Sequence, residues 1–146
     1  MDDKYKQDLS QRIEGERHAG IVIKDRQILI MHRIKNGHEY YVIPGGHRRD
    51  GELGSDTVKR EMYEETGITI KSSQLAFEFV DHLKSNHDYY YLCEWENGDK
   101  PTLMGEEKDA DPKINFFEPM WLPIAEIKNL NLLPPCAKSW ITCNIS

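Results

Sequence analysis

Residues 46–68 read G-H-R-R-D-G-E-L-G-S-D-T-V-K-R-E-M-Y-E-E-T-G-I, and within them Glu61, Glu64 and Glu65 fall at helical spacing. At about 100° per residue, Glu64 and Glu65 lie at roughly −60° and +40° from Glu61, so all three share one arc of the helix. Val58 and Met62 lie beside that arc and offer an apolar anchor to a core. Ser55 suits the N-cap and Asp56 the first turn, while Gly67 accepts the left-handed conformation common at helix ends. The spacing therefore predicts a helix over 55–66, with its acids towards the C-terminal half.

That placement is unfavourable for an isolated helix. The carboxylates face the negative end of the dipole, and like charges at i,i+4 add roughly 0.2–0.5 kcal/mol of repulsion each. Such costs are small enough for a solvated acidic face to remain open. A divalent cation such as Mg²⁺ or Mn²⁺ would reverse the sign, because hard cations take oxygen ligands. Before the helix, Pro44-Gly45-Gly46 follows the apolar run Tyr40–Ile43. The glycines permit a backbone that turns a carbonyl towards a metal, and they equally suit an ordinary strand-ending turn. His47, Arg48 and Arg49 then place phosphate-binding chemistry beside the carboxylates, or simply face solvent.

The stretch resembles the Nudix box, G-x5-E-x7-R-E-U-x-E-E-x-G-U with U a bulky apolar residue. Every defined position matches: Gly46, Glu52, Arg60, Glu61, Met62, Glu64, Glu65, Gly67 and Ile68. The resemblance implies an α/β fold, an α/β/α sandwich around a mixed β-sheet, with the box as a loop–helix–loop. It also implies hydrolysis of a nucleoside diphosphate linked to another moiety, dependent on Mg²⁺ or Mn²⁺. Carried over, Glu61, Glu64 and Glu65 become metal ligands together with the Gly45 carbonyl. One of these glutamates, or one further along the chain, would orient or deprotonate the attacking water. Arg60 would pair with a glutamate of the box, and Glu52 would be structural or outer-shell. Many relatives carry an acidic residue where this chain has Arg49, so the loop here is more basic than usual.

The chain has 146 residues and a net charge of −6. That length suits one domain, expected over 14–146 after a polar segment at 1–13. No run approaches 18 apolar residues, which argues against a membrane span, and the N-terminus lacks the apolar stretch of a signal peptide. Cys93, Cys136 and Cys143 have no metal-ligand spacing, which suits a reducing cytoplasm. Strands are expected at 18–24, 27–33 and 39–43, the last two joined by the hairpin signal Asn36-Gly37. A second hairpin is expected from 75–83 and 89–95, then a long loop over 96–113. A strand at 114–122, a short helix from 124 to 129 and a terminal helix near 136–142 complete the reading.

Candidates outside the box are weaker. Glu118 precedes Trp121 in a predicted strand, where relatives often supply a late catalytic glutamate; Glu106 and Glu107 compete with it. Arg33 can reach a phosphate or stay on the surface. Tyr89, Tyr90, Tyr91 and Trp95 can stack on a base or simply pack. His82 and His87 flank a turn and are the weakest catalytic candidates. The leading functional expectation is a pyrophosphate-cleaving hydrolase of a small nucleotide, first a nucleoside triphosphate and second a nucleotide sugar or ADP-ribose. A non-catalytic nucleotide sensor is the alternative from another class. The acidic balance argues against a long nucleic acid as partner. Homodimerisation stays open.

Overall fold

The computed structural model describes residues 12–83, 85–97 and 115–145. β1 (Arg12–Lys24) and β2 (Gln27–Lys35) are joined by Asp25 and Arg26, both at positive φ. β3 (His38–Val42) follows through Asn36 and Gly37, at φ 51° and 81°. Two left-handed residues in a row give the turn whose twist matches that of paired strands. β2 therefore pairs antiparallel with both neighbours, in continuous register with β3 from Met31↔Val42 to Lys35↔His38.

The segment Gly45–Arg49 is a strand, β4, and not the loop expected from its glycines. It lies antiparallel to β1, with Ala19↔Gly45 and His18↔Gly46 in register. A Cβ on Gly45 would stand 2.4 Å from the His18 carbonyl, so the glycine is what allows this approach. Strand pairing overrode the turn preference of the sequence.

α1 (Gly54–Thr66) carries the box carboxylates. Its cap is Leu53 and not Ser55. Asp56 explains the shift: its carboxylate accepts the Leu53 N–H at 3.3 Å, so the acid of the first turn closes the end. At the other end Gly67 sits at φ 74° and donates its N–H to the Tyr63 carbonyl at 2.9 Å. β5 (Thr69–Asp81) starts at once, and β6 (Asn86–Asn97) pairs back antiparallel, so both strands are longer than expected.

β6 also runs parallel to β1, from Glu16↔His87 to Val22↔Cys93. β7 (Asn115–Pro123) pairs antiparallel with β2. A 3₁₀ helix (Ile124–Asn129), the short β8 (Leu132–Leu133) and α2 (Pro135–Asn144) end the fold. The expected loop over 96–113 lies outside the described residues from 98 onward.

The sheet is mixed, and apolar residues alternate between its faces. Ala19, Ile21, Ile28, Ile30, Ile43 and Tyr90 join Ala137 and Ile141 of α2 in one core. Val22, Leu29, Ile70 and Tyr91 join Val58 and Met62 of α1 in the other. Helices thus cover both faces, and α1 holds its carboxylates above β4. Gly20 adjusts that packing: a Cβ there would lie 2.7 Å from the Met62 methyl carbon and 2.9 Å from Val58.

Candidate active site

Arg60 is the hub of the carboxylate cluster. Its Nε and Nη2 donate to the two Glu52 oxygens at 2.8 and 3.0 Å. Nη1 donates to Glu61 at 2.7 Å and to Glu64 at 3.3 Å, and Nη2 also reaches the His47 carbonyl at 3.0 Å. One guanidinium therefore ties two turns of α1 to the strand and loop that precede it. Glu52 is held from further sides by the Arg49 N–H at 3.1 Å and the Thr57 hydroxyl at 2.8 Å. Burial alone would raise the Glu52 carboxyl, but these donors outweigh it and hold it down at about 2.

Gly45 and Gly46 receive the other carboxylates. The Gly45 N–H donates to Glu65 at 3.3 Å. A Cβ on Gly46 would stand 2.3 Å from the Glu61 carboxyl carbon, so Glu61 occupies the space that a side chain would need. Glu64, 39% exposed at its side chain, is the more open of the two α1 acids that Arg60 joins. Burial first, and then the charge of Glu61, push its carboxyl up against the pull of Arg60 and Arg49.

The basic residues of β4 are engaged within the protein. Arg48 forms two bonds to Glu16, at 2.7 and 3.3 Å, and a third to the Glu52 carbonyl at 3.1 Å. Arg49 reaches Glu64 at 3.4 Å, and His47 Nδ1 meets the Ile13 carbonyl oxygen at 3.2 Å. Arg33 lies elsewhere, its guanidinium 4.3 Å from the Phe117 ring centre and 5.5 Å from that of Tyr40. Glu118 is exposed and opposite His32, on the face of β2 that carries Ile28 and Ile30, whereas α1 packs on the Leu29 face. Glu106 and Glu107 lie outside the described residues. The tyrosines of β6 are packed: Tyr90 stacks on Phe77 at 4.5 Å, and Tyr89 stacks between His18 and His87. Trp95 lies beneath the Lys24 ammonium at 4.3 Å. His82 is exposed, on the turn after β5.

His18 is a structural participant that the sequence reading missed. It is 3% exposed, and its ring nitrogens meet the Tyr91 hydroxyl at 2.9 Å and Glu16 at 2.7 Å. Its signal was the alternation of β1, which puts His18, Gly20 and Val22 on the α1 face. Glu16 thus braces both His18 and Arg48, and the Arg48 bonds lead while His18 assists in holding its carboxyl below the usual range.

The NUDIX domain model matches residues 16–142. The chain belongs to the Nudix family. A curated relative, the "Uncharacterized Nudix hydrolase YvcI" of Bacillus subtilis (strain 168), is 29% identical over 116 residues. The match covers 75% of this chain and 66% of that relative, just under two thirds of its length. A MutT structure from work on Aliivibrio salmonicida and Vibrio cholerae superposes with a TM-score of 0.68 at 21% identity, covering 88% of this chain and 94% of that one. The MutT protein of Methanosarcina mazei Go1 gives 0.64 at 18% identity, over 88% and 90% of the two chains. These likenesses show that the mixed sheet with flanking helices is the Nudix fold.

Nudix hydrolases generally use divalent metals. Among the described residues, no three His, Cys, Asp or Glu side chains form a ready-made cage. The Arg60 guanidinium bridges Glu61 and Glu64 and supplies the positive charge between them. The donor set nevertheless fits a hard cation: Glu61 and Glu65 carboxylates rest on adjacent glycines, and Glu64 is one helical turn from Glu61.

Proposed function

We propose that this Nudix protein is a metal-dependent hydrolase of a nucleoside diphosphate linked to another moiety, with a nucleoside triphosphate as its leading substrate class. The observation that carries the reading is the Arg60 hub, which assembles Glu52, Glu61 and Glu64 beside Gly45 and Gly46. Glu61, Glu64 and Glu65, with the Gly45 carbonyl, would hold Mg²⁺ or Mn²⁺. The bound cation would neutralise the polyphosphate and acidify water.

The chain's own residues would do the rest. Arg60 fixes the Glu61 and Glu64 rotamers through its bidentate anchor on Glu52, so their oxygens converge before substrate arrives. Glu64, the more exposed of the two acids that Arg60 joins, would take the proton of the attacking water. The water oxygen bonds to phosphorus, the bridging oxygen leaves with the electron pair, and the proton passes to the carboxylate. Arg49, held to Glu64 by a long contact of 3.4 Å, is the β4 base nearest the reacting groups and suits a phosphate oxygen. Arg48 instead braces the loop, given its three bonds to Glu16 and Glu52.

The test is phosphate or pyrophosphate release from nucleoside triphosphates, nucleotide sugars and ADP-ribose, with Mg²⁺ and with Mn²⁺. Phosphatase coupling serves products that release neither. Glu64→Gln is the blank and should lower turnover by about 10²–10⁴-fold while its thermal unfolding stays normal. Metal-independent turnover, or full turnover in Glu64→Gln, refutes the reading.

A further inference from the structure

The first turn of α1 rests on a hydrogen-bonded chain of β1 and β6 side chains that no step of the hydrolysis uses. His18 is 3% exposed and Tyr91 8% exposed, and both lie on the α1 face of the sheet. A Cβ on Gly54, the first residue of α1, would collide with the Tyr91 hydroxyl and stand 2.8 Å from His18 Cε1 and Nδ1. Only a glycine lets the helix start directly on this pair. The His18 ring is held against Tyr89, their centres 4.6 Å apart and their planes within 4° of parallel.

The hydrogen bonds run in one consistent direction. Glu16 Oε1 receives His18 Nε2 and Arg48 Nε, each at 2.7 Å. A carboxylate only accepts, so His18 carries a proton on Nε2, and in the neutral ring Nδ1 accepts the Tyr91 hydroxyl at 2.9 Å. Burial leads in raising the Tyr91 phenol, which keeps that hydroxyl proton in place. Arg48 extends the chain to the box, where its Nη1 donates to the Glu52 carbonyl at 3.1 Å. Both branches therefore end on segment 52–54, one at the Glu52 backbone and one at the Gly54 Cα. The carboxylate of that same Glu52 anchors Arg60, which in turn holds Glu61 and Glu64.

We propose that His18 is a positioning residue of the active site: with Tyr91 and Glu16 it fixes the backbone of 52–54, and through Glu52 and Arg60 it sets how Glu61 and Glu64 converge. The proposal rests on the hydrolase reading for the reaction it serves, but its effect on the carboxylates is measurable without turnover. His18 itself touches no reacting group. Partners that orient metal ligands typically change metal affinity or activity by about 10–100-fold when removed. A histidine that only filled the core would change stability and leave the carboxylates where they are.

The test is Mn²⁺ binding, followed by electron paramagnetic resonance, beside kinetics at saturating Mg²⁺. Tyr91→Phe removes only the hydroxyl, and His18→Phe removes both ring nitrogens while keeping a ring against Tyr89. Each should weaken Mn²⁺ binding and lower kcat by about tenfold, with KM within about twofold of wild type. Neither effect should add to that of Glu52→Gln, because both act through Glu52. Ile141→Val, in the core on the other face, is the control for lost packing and should change neither Mn²⁺ binding nor kcat. If His18→Phe fails to fold, Tyr91→Phe carries the comparison. Unchanged Mn²⁺ binding and kcat in the variants, or effects that add in full to those of Glu52→Gln, overturn the proposal. The expected Mn²⁺ pattern in a protein that hydrolyses no nucleotide would instead refute the hydrolase reading and leave the positioning role standing.

Discussion

Glu52→Gln is the sharpest probe of the Arg60 hub. The Glu52 carboxylate receives two Arg60 bonds, the Thr57 hydroxyl and the Arg49 N–H, and its side chain is only 16% exposed. A carboxyl held at about 2 against an ordinary 4.5 ties roughly 3 kcal/mol of folding free energy to its ionisation, at about 1.4 kcal/mol per tenfold change in acidity. Its folded value is depressed, so this stabilisation is complete above the unfolded value of 4.5 and is lost as the pH falls towards 2. Glutamine keeps the shape and removes the charge. Arg60 still has Glu61 and Glu64, which offsets part of the loss, so we expect a cost of about 2–3 kcal/mol at pH 7. Urea denaturation of both proteins from pH 7 down to pH 2 is the assay. The gap should narrow steadily below about pH 5, as the wild type loses what the variant never had. Parallel acid limbs with a constant gap would refute the argument, because Glu52 would then contribute by shape and not by charge.

Gly46→Ala should abolish most turnover with the fold retained, since the added methyl occupies the place of the Glu61 carboxylate; kinetics beside circular dichroism decide this. Met62→Ala should destabilise by about 2–5 kcal/mol, because Met62 is fully buried between α1 and the sheet, and the denaturation midpoint reads the loss directly.

The box helix was legible because its information is local. Carboxylate spacing, the apolar pair Val58 and Met62 and the stop at Gly67 all lie within one segment, and the fold implied by the match followed from them. The start of the helix was misread because two residues next to each other, Ser55 and Asp56, both cap well, and the longer Asp56 side chain reached back to Leu53. β4 was misread because glycine speaks for turns in isolation, whereas here it serves a close approach to β1 that only the assembled sheet reveals. The roles of the basic residues were hidden for a related reason. Arg48 is bound by Glu16, which lies 32 residues away in sequence, and no local pattern links the two. Chemistry carried by one helix is therefore readable from spacing. Chemistry assembled across strands depends on a register that the chain settles only on folding, as the Glu16–Arg48 pair between β1 and β4 does.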